Sequence, residues 1–160
     1  MAIVGILVDS PLPENRLQPA REAAPGDFSP APKKSPKAGV LIVDDESLIR
    51  WSLAQMLVDH DYTVMEAGNG KEALAVLKNP PEPVEVVMLD YRLQDTNGLV
   101  LLAAIRGLSP ESRVVMMTAY GTAEVVAEAM RLGAACVVNK PIEMADVLGL
   151  VSRARGTGAA

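Results

Sequence analysis

From Gly39 onward, short apolar runs alternate with segments whose apolar residues recur three or four positions apart. The runs Val40 to Val43, Tyr62 to Glu66, Val84 to Leu89, Val114 to Met117 and Cys136 to Val138 have the length of strands, and several carry no polar alternation. A strand without alternation has both faces covered, as in a parallel sheet between two layers of helix. Between the runs, Ile49, Leu53, Met56 and Leu57 keep helical spacing, and so do Ala73, Leu74 and Leu77. Leu99, Leu102 and Ile105 or Arg106 mark a third helix after Gly98, Val126, Ala129 and Met130 a fourth, and Met144, Val147, Leu148 and Val151 a fifth. Right-handed crossovers then give a three-layer α/β sandwich. At this size the known arrangement is a flavodoxin-like (βα)5 fold with a parallel five-stranded sheet of order 2-1-3-4-5.

The chain before Gly39 has another character. Seven of its twelve prolines fall there, among small and charged residues, so residues 1–38 are expected to be a disordered arm. The folded domain is then 39–155, with 156–160 as a tail. The apolar opening, Met1 to Val8, lacks a basic leader and meets Asp9 and prolines instead of a cleavage site, which makes it a poor signal peptide. No apolar stretch approaches the ~20 residues of a membrane helix. A net charge of −5 without a long basic run argues against direct nucleic-acid binding. The single cysteine, Cys136, excludes an intrachain disulfide framework and suits a reducing compartment, so a cytoplasmic location is expected. Within its buried strand it reads as an inert small hydrophobe.

In such a sheet, ligands bind beyond the carboxyl ends of the strands, where strand order reverses. Strand one ends in Asp44-Asp45-Glu46, strand three in Asp90, strand four in Thr118, and strand five in Asn139-Lys140-Pro141. Clustered carboxylates repel one another unless a cation neutralises them, and magnesium suits an oxygen-only set of few carboxylates. The plainer alternative is that Asp44 and Asp45 end a strand and cap the next helix. Lys140 tips the balance, because its ammonium can lean from the strand-five turn toward negative charge, while Thr118 adds a hydroxyl donor. Carboxylates, a cation site, a lysine and a hydroxyl together suit a transferring phosphoryl group, with Asp90 as the nucleophile.

Leu41 to Glu46, Met88-Leu89-Asp90-Tyr91, Gly98, Met117-Thr118-Ala119 and Lys140-Pro141, in that order and spacing, resemble the response-regulator receiver domain of two-component signalling. The resemblance covers about Gly39 to Arg155. It implies Asp90 as phosphoacceptor, Asp45 as a direct Mg2+ ligand, Asp44 acting through water, and the Arg92 backbone carbonyl as a further ligand. It implies Thr118 and Lys140 as phosphoryl contacts. The donor would be a phosphohistidine on a sensor histidine kinase or phosphotransfer protein, and a homodimer through the fourth and fifth units is a further expectation. Ile49-Arg50-Trp51, Tyr91-Arg92-Leu93 and Met117 to Gly121 look similar to the nitrogen-regulatory, NtrC-like subfamily.

Three positions depart from the family pattern. Val137 stands where most receivers carry an aromatic residue that moves with the threonine, and a β-branched side chain lacks that swing. Gln94 stands where a proline often follows the phosphoacceptor. Arg92 and Tyr120 flank the path of an attacking water, which predicts a long-lived phosphorylated state. Trp51 lies about 200° around its helix from Ile49 and faces away from the core stripe; cover by a neighbouring helix or the arm, or a partner, would account for it. His60, in the turn Asp59-His60-Asp61, reads as a plain surface residue. Two other functions compete: a phosphorylation-independent pseudo-receiver, and a phosphohydrolase, which would want an acid/base aspartate where Arg92 stands.

Overall fold

The computed structural model describes residues 37–156, with the backbone alone at Lys37, so most of the expected arm and tail lies outside the described residues. Strands β1 (Lys37–Val43), β2 (Tyr62–Ala67), β3 (Val84–Asp90), β4 (Arg113–Thr118) and β5 (Cys136–Asn139) alternate with helices. These are α1 (Ser47–Asp59), α2 (Gly70–Lys78), α3 (Gly98–Leu108), α4 (Ala123–Arg131) and α5 (Met144–Gly156). All strand pairs are parallel, and the sheet order is β2-β1-β3-β4-β5, the expected doubly wound arrangement. Strand β1 begins at Lys37, three residues before its apolar run, because pairing with β2 continues past the apolar residues.

The unbroken apolar runs reflect a sheet buried on both sides. On one face Leu41, Val43, Val87, Leu89, Val114 and Met116 pack with Ala73 and Leu77 of α2, Leu101, Leu102 and Ile105 of α3, and Ala129 of α4. On the other, Val40, Ile42, Val86, Met88, Val115 and Met117 meet Leu53, Ala54 and Leu57 of α1, and Val147, Val151 and Ala154 of α5. Neighbouring residues of one strand therefore serve different cores, the period-two rule read on a doubly covered sheet. Edge strand β5 is only half-buried throughout its apolar residues, so Cys136 is less enclosed than a central strand would make it. Burial still pushes its thiol pKa up, with Arg153 acting in the opposite sense.

Three of the helices start where polar side chains satisfy free amides. Asn69, Asn97 and Thr122 accept from Glu72, Val100 and Val125 at the heads of α2, α3 and α4. The α4 helix ends in paired bonds from Gly133 to the Met130 carbonyl and from Ala134 to the Ala129 carbonyl, with Gly133 at φ 100°. A Cβ there would stand 2.9 Å from Arg106 Nε, and Arg106 itself donates to the carbonyls of Pro110 and Ser112. Only Ala129 of α4 is buried, while Val126 and Met130, whose spacing marked the helix, are 36 % and 48 % exposed. Trp51 is 57 % exposed, and His60 closes α1 with Nδ1 2.8 Å from the Met56 carbonyl. No helix among the described residues is long and apolar enough to cross a membrane.

Candidate functional site

Order reverses between β1 and β3, which lie side by side with Val43 opposite Leu89. The residues just beyond each strand are thereby delivered to one edge. Asp44 is fully buried, Asp90 is 5 % exposed, and Asp45 is half-buried. One carboxylate oxygen from each lies within 4.8 Å of the others. The backbone ladder continues past the strand ends, through Tyr91 N–H to the Met117 carbonyl and Lys140 N–H to the Thr118 carbonyl, both 2.8 Å. Those bonds set the relative heights of Asp90, Thr118 and Lys140.

The Lys140 ammonium bridges two of the acids, 2.8 Å from Asp44 Oδ2 and 3.2 Å from Asp90 Oδ2. The peptide bond that links it to Pro141 is cis. Burial raises the Asp90 pKa, and the neighbouring Asp44 raises it further; Lys140 and the Arg92 amide oppose both without prevailing. Burial works to lower the Lys140 pKa, but its hydrogen bond to Asp44 and the charges of Asp44 and Asp90 outweigh it, so the ammonium is held above its ordinary value. Both partners shift upward because Asp90 answers to its burial and to Asp44 as well as to the lysine. Three carboxylates against one ammonium leave a formal charge of −2 at the edge.

Neither Asp44 nor Asp45 caps α1. The residue before its first turn is Glu46, which makes no side-chain cap, while Asp44 Oδ1 accepts the Glu46 amide at 2.9 Å. The capping alternative thus fails, and the buried carboxylate is oriented instead by an Asx-type turn. Thr118 is buried, and its Oγ1 accepts the Tyr120 amide at 3.2 Å, leaving its own proton to donate. Arg92 donates its amide to Asp90 Oδ1 at 3.3 Å, and its guanidinium lies over the Tyr120 ring, 5.9 Å from the centroid. A pocket of about 270 Å³ opens between Asp45, Asp90, Arg92, Ala119 and Lys140. The oxygen-only donor set and the unneutralised charge fit a hard divalent cation such as Mg2+.

Two residues bear on the edge that spacing did not point to. Arg50, in α1, donates to the Asp44 carbonyl at 2.6 Å and to Glu66 at 3.2 Å, fixing the backbone that carries the buried acid. Asp95 accepts the Gly70 and Lys71 amides at 2.9 and 3.0 Å, from a loop 24 or 25 residues further along the chain. The local sequence signal for Arg50 is its place one turn beyond the acidic pair; for Asp95 there is none. Val137 packs partly buried against the α2–α4 core, where it offers bulk but no ring.

Residues 40–152 match the family model described as the response regulator receiver domain. The DNA-binding transcriptional regulator NtrC of Salmonella typhimurium is 34% identical over 115 residues, covering 72% of this chain and 24% of that protein. Sporulation initiation phosphotransferase F of Bacillus subtilis is 30% identical over 114 residues, covering 71% of this chain and 90% of that protein. The chain thus spans about a quarter of the first relative and nearly all of the second. Among solved structures, a CheY-like receiver domain protein from Methanospirillum hungatei JF-1 superposes with a TM-score of 0.71 at 29% identity, covering 75% of this chain and 94% of that one.

Proposed function

The chain belongs to the response regulator receiver domain family, a signalling family whose members accept phosphoryl groups, and from that premise we propose that Asp90 is the acceptor here. One observation carries the reading: the oxygens of Asp44, Asp45 and Asp90 gather within 4.8 Å while Lys140 spans Asp44 and Asp90. An Asp90 carboxylate oxygen attacks the phosphorus of a phosphohistidine. The new O–P bond forms as the P–N bond breaks, and the electron pair returns to the imidazole, which takes up a proton. Lys140 and Thr118 meet the equatorial oxygens of the group in flight, and such prearranged donors stabilise charge as it develops.

Asp45, Asp90 and the Arg92 carbonyl would hold Mg2+, with Asp44 reaching it through water. When bound, the ion neutralises the excess negative charge and polarises the phosphoryl oxygens. The donor is a sensor histidine kinase or a phosphotransfer protein, for which Leu48 and Trp51 of α1 stand exposed beside the acidic edge. The signal leaves through the fourth and fifth units, where Val126 and Met130 are exposed and where a second copy could pair. The domain assignment on this reading is 39–155, with the preceding residues as an arm.

The test is intact mass after incubation with Mg2+ and an acyl-phosphate donor, or with a phosphorylated kinase. Wild type should gain one phosphoryl group and Asp90→Asn none. Failure to gain it from either donor would sink the proposal in favour of a pure binding module.

A further inference from the structure

The loop between β3 and α3 carries the Arg92 carbonyl and amide, and its stem is closed on itself. Gly98 donates to the Tyr91 carbonyl at 2.6 Å, Leu93 to the Thr96 carbonyl at 3.3 Å, and Arg92 forms a bridge pair with Asn97. The stem is tight, since a Cβ on Gly98 would stand 2.7 Å from the Tyr91 Cα. Its tip is fastened elsewhere: each Asp95 oxygen accepts one of the first two amides of α2. Thr96 lies so close to α2 that a Cβ on Gly70 would meet its Cγ2 at 2.7 Å.

From this geometry we propose that Asp95 is a positioning residue for the acidic edge, fixing where the Arg92 carbonyl and amide stand relative to Asp90. The inference rests on the function proposed above. Asp95 is not alone at the head of α2: Asn69 accepts the third α2 amide, and Glu72 reaches back to the Gly68 amide at 2.7 Å. Of the two amides Asp95 takes, that of Lys71 is exposed and that of Gly70 is buried, so the contact closes the head of α2 and holds the loop tip at once. Gln94 gives that loop no fixed φ, as a proline would. With tip latched and stem closed, the segment between Asp90 and Gly98 is held at both ends. Arg92 N–H then meets Asp90 Oδ1 at 3.3 Å, a long bond that any shift of the loop would lengthen or close.

The experiment titrates magnesium chloride into wild type, Asp95→Ala, Asp95→Asn and Asn69→Ala by calorimetry, and tracks amide exchange by NMR in the metal-free proteins. Asp95→Ala should bind Mg2+ about tenfold more weakly, the scale expected when support behind a ligand is lost. Asp95→Asn, which keeps one acceptor, should fall between. Asn69→Ala loosens α2 without touching the loop and should leave affinity within about twofold of wild type. Exchange at Arg92 and Gly98 should quicken in Asp95→Ala and not in Asn69→Ala. Equal effects from Asp95→Ala and Asn69→Ala, or no change at Arg92, would overturn the positioning role. If wild type itself binds no Mg2+, the proposed function fails, and the exchange data alone decide whether Asp95 holds the loop.

Discussion

Replacing Asp90 by asparagine removes one charge from a buried edge that carries three acids and one ammonium. At an effective dielectric near 20, Asp44 and Asp90 at up to 4.8 Å repel by at least about 3.5 kcal/mol, and Lys140 at 3.2 Å attracts Asp90 by about 5. Asp45 adds a weaker, more screened repulsion, so the pair terms nearly cancel. The cost of burying the ionised group remains, which is the largest reason its pKa is raised. Asparagine removes that cost, keeps an acceptor for the Arg92 amide, and leaves Lys140 paired with Asp44. Without divalent cations, Asp90→Asn should therefore be more stable than wild type at about pH 7.5, by on the order of 1 kcal/mol, the usual scale of a single substitution.

The sign comes from the raised value. Below the ordinary carboxyl pKa of 3.8 both folded and unfolded states are protonated and wild type carries no penalty; as pH rises through the folded value the penalty appears in full. The advantage of Asp90→Asn should shrink on acidification. Urea melts in chelator, read by circular dichroism at several pH values, measure it. Saturating Mg2+, at about a hundredfold excess over its Kd, should add about 2.7 kcal/mol to wild type and far less to the variant. A variant less stable than wild type in chelator at neutral pH, or an advantage independent of pH, would refute the account of Asp90 as a strained charge.

Lys140→Met leaves fully buried Asp44 beside Asp90 with no ammonium, and should cost about 3 kcal/mol in urea melts at neutral pH. Gly133→Ala forces a side chain into left-handed backbone against Arg106, and should cost about 1 to 2 kcal/mol in the same assay. Tyr120→Ala takes away the ring beneath the Arg92 guanidinium, and should shorten the life of the phosphorylated protein several-fold when loss of phosphate is tracked by mass.

The sheet was legible because burial on both faces writes itself as unbroken apolar runs, and every predicted strand recurs within a few residues of its place. Asp44, Asp45, Asp90, Thr118 and Lys140 were legible as a group because each stands at or just past the carboxyl end of a strand, and parallel strands bring those ends to one edge. Residues that act from a distance left no such mark. Asp95 meets Gly70 across 25 positions, a separation that no local period encodes, and Arg50 serves the Asp44 backbone while sitting in an ordinary helical pattern. The helix α4 was legible as a helix, since Val126, Ala129 and Met130 keep helical spacing, but not its burial: Val126 and Met130 are exposed, and little among the described residues covers them. Periodicity records a helix's shape and is silent on whether its apolar side is occupied.

That scarcely covered helix has a thermodynamic consequence. Helices α1, α2, α3 and α5 each bury three or four residues, whereas α4 buries one alanine, whose side chain adds little apolar area. Its carboxyl end is closed by the Gly133 and Ala134 amides, while its amino end continues directly from the Thr118–Thr122 segment at the acidic edge. Opening of α4 is therefore expected to take less free energy than global unfolding. A rearrangement of α4 would give up little apolar burial, so the helix with least burial to lose is the one that follows directly on the acidic edge.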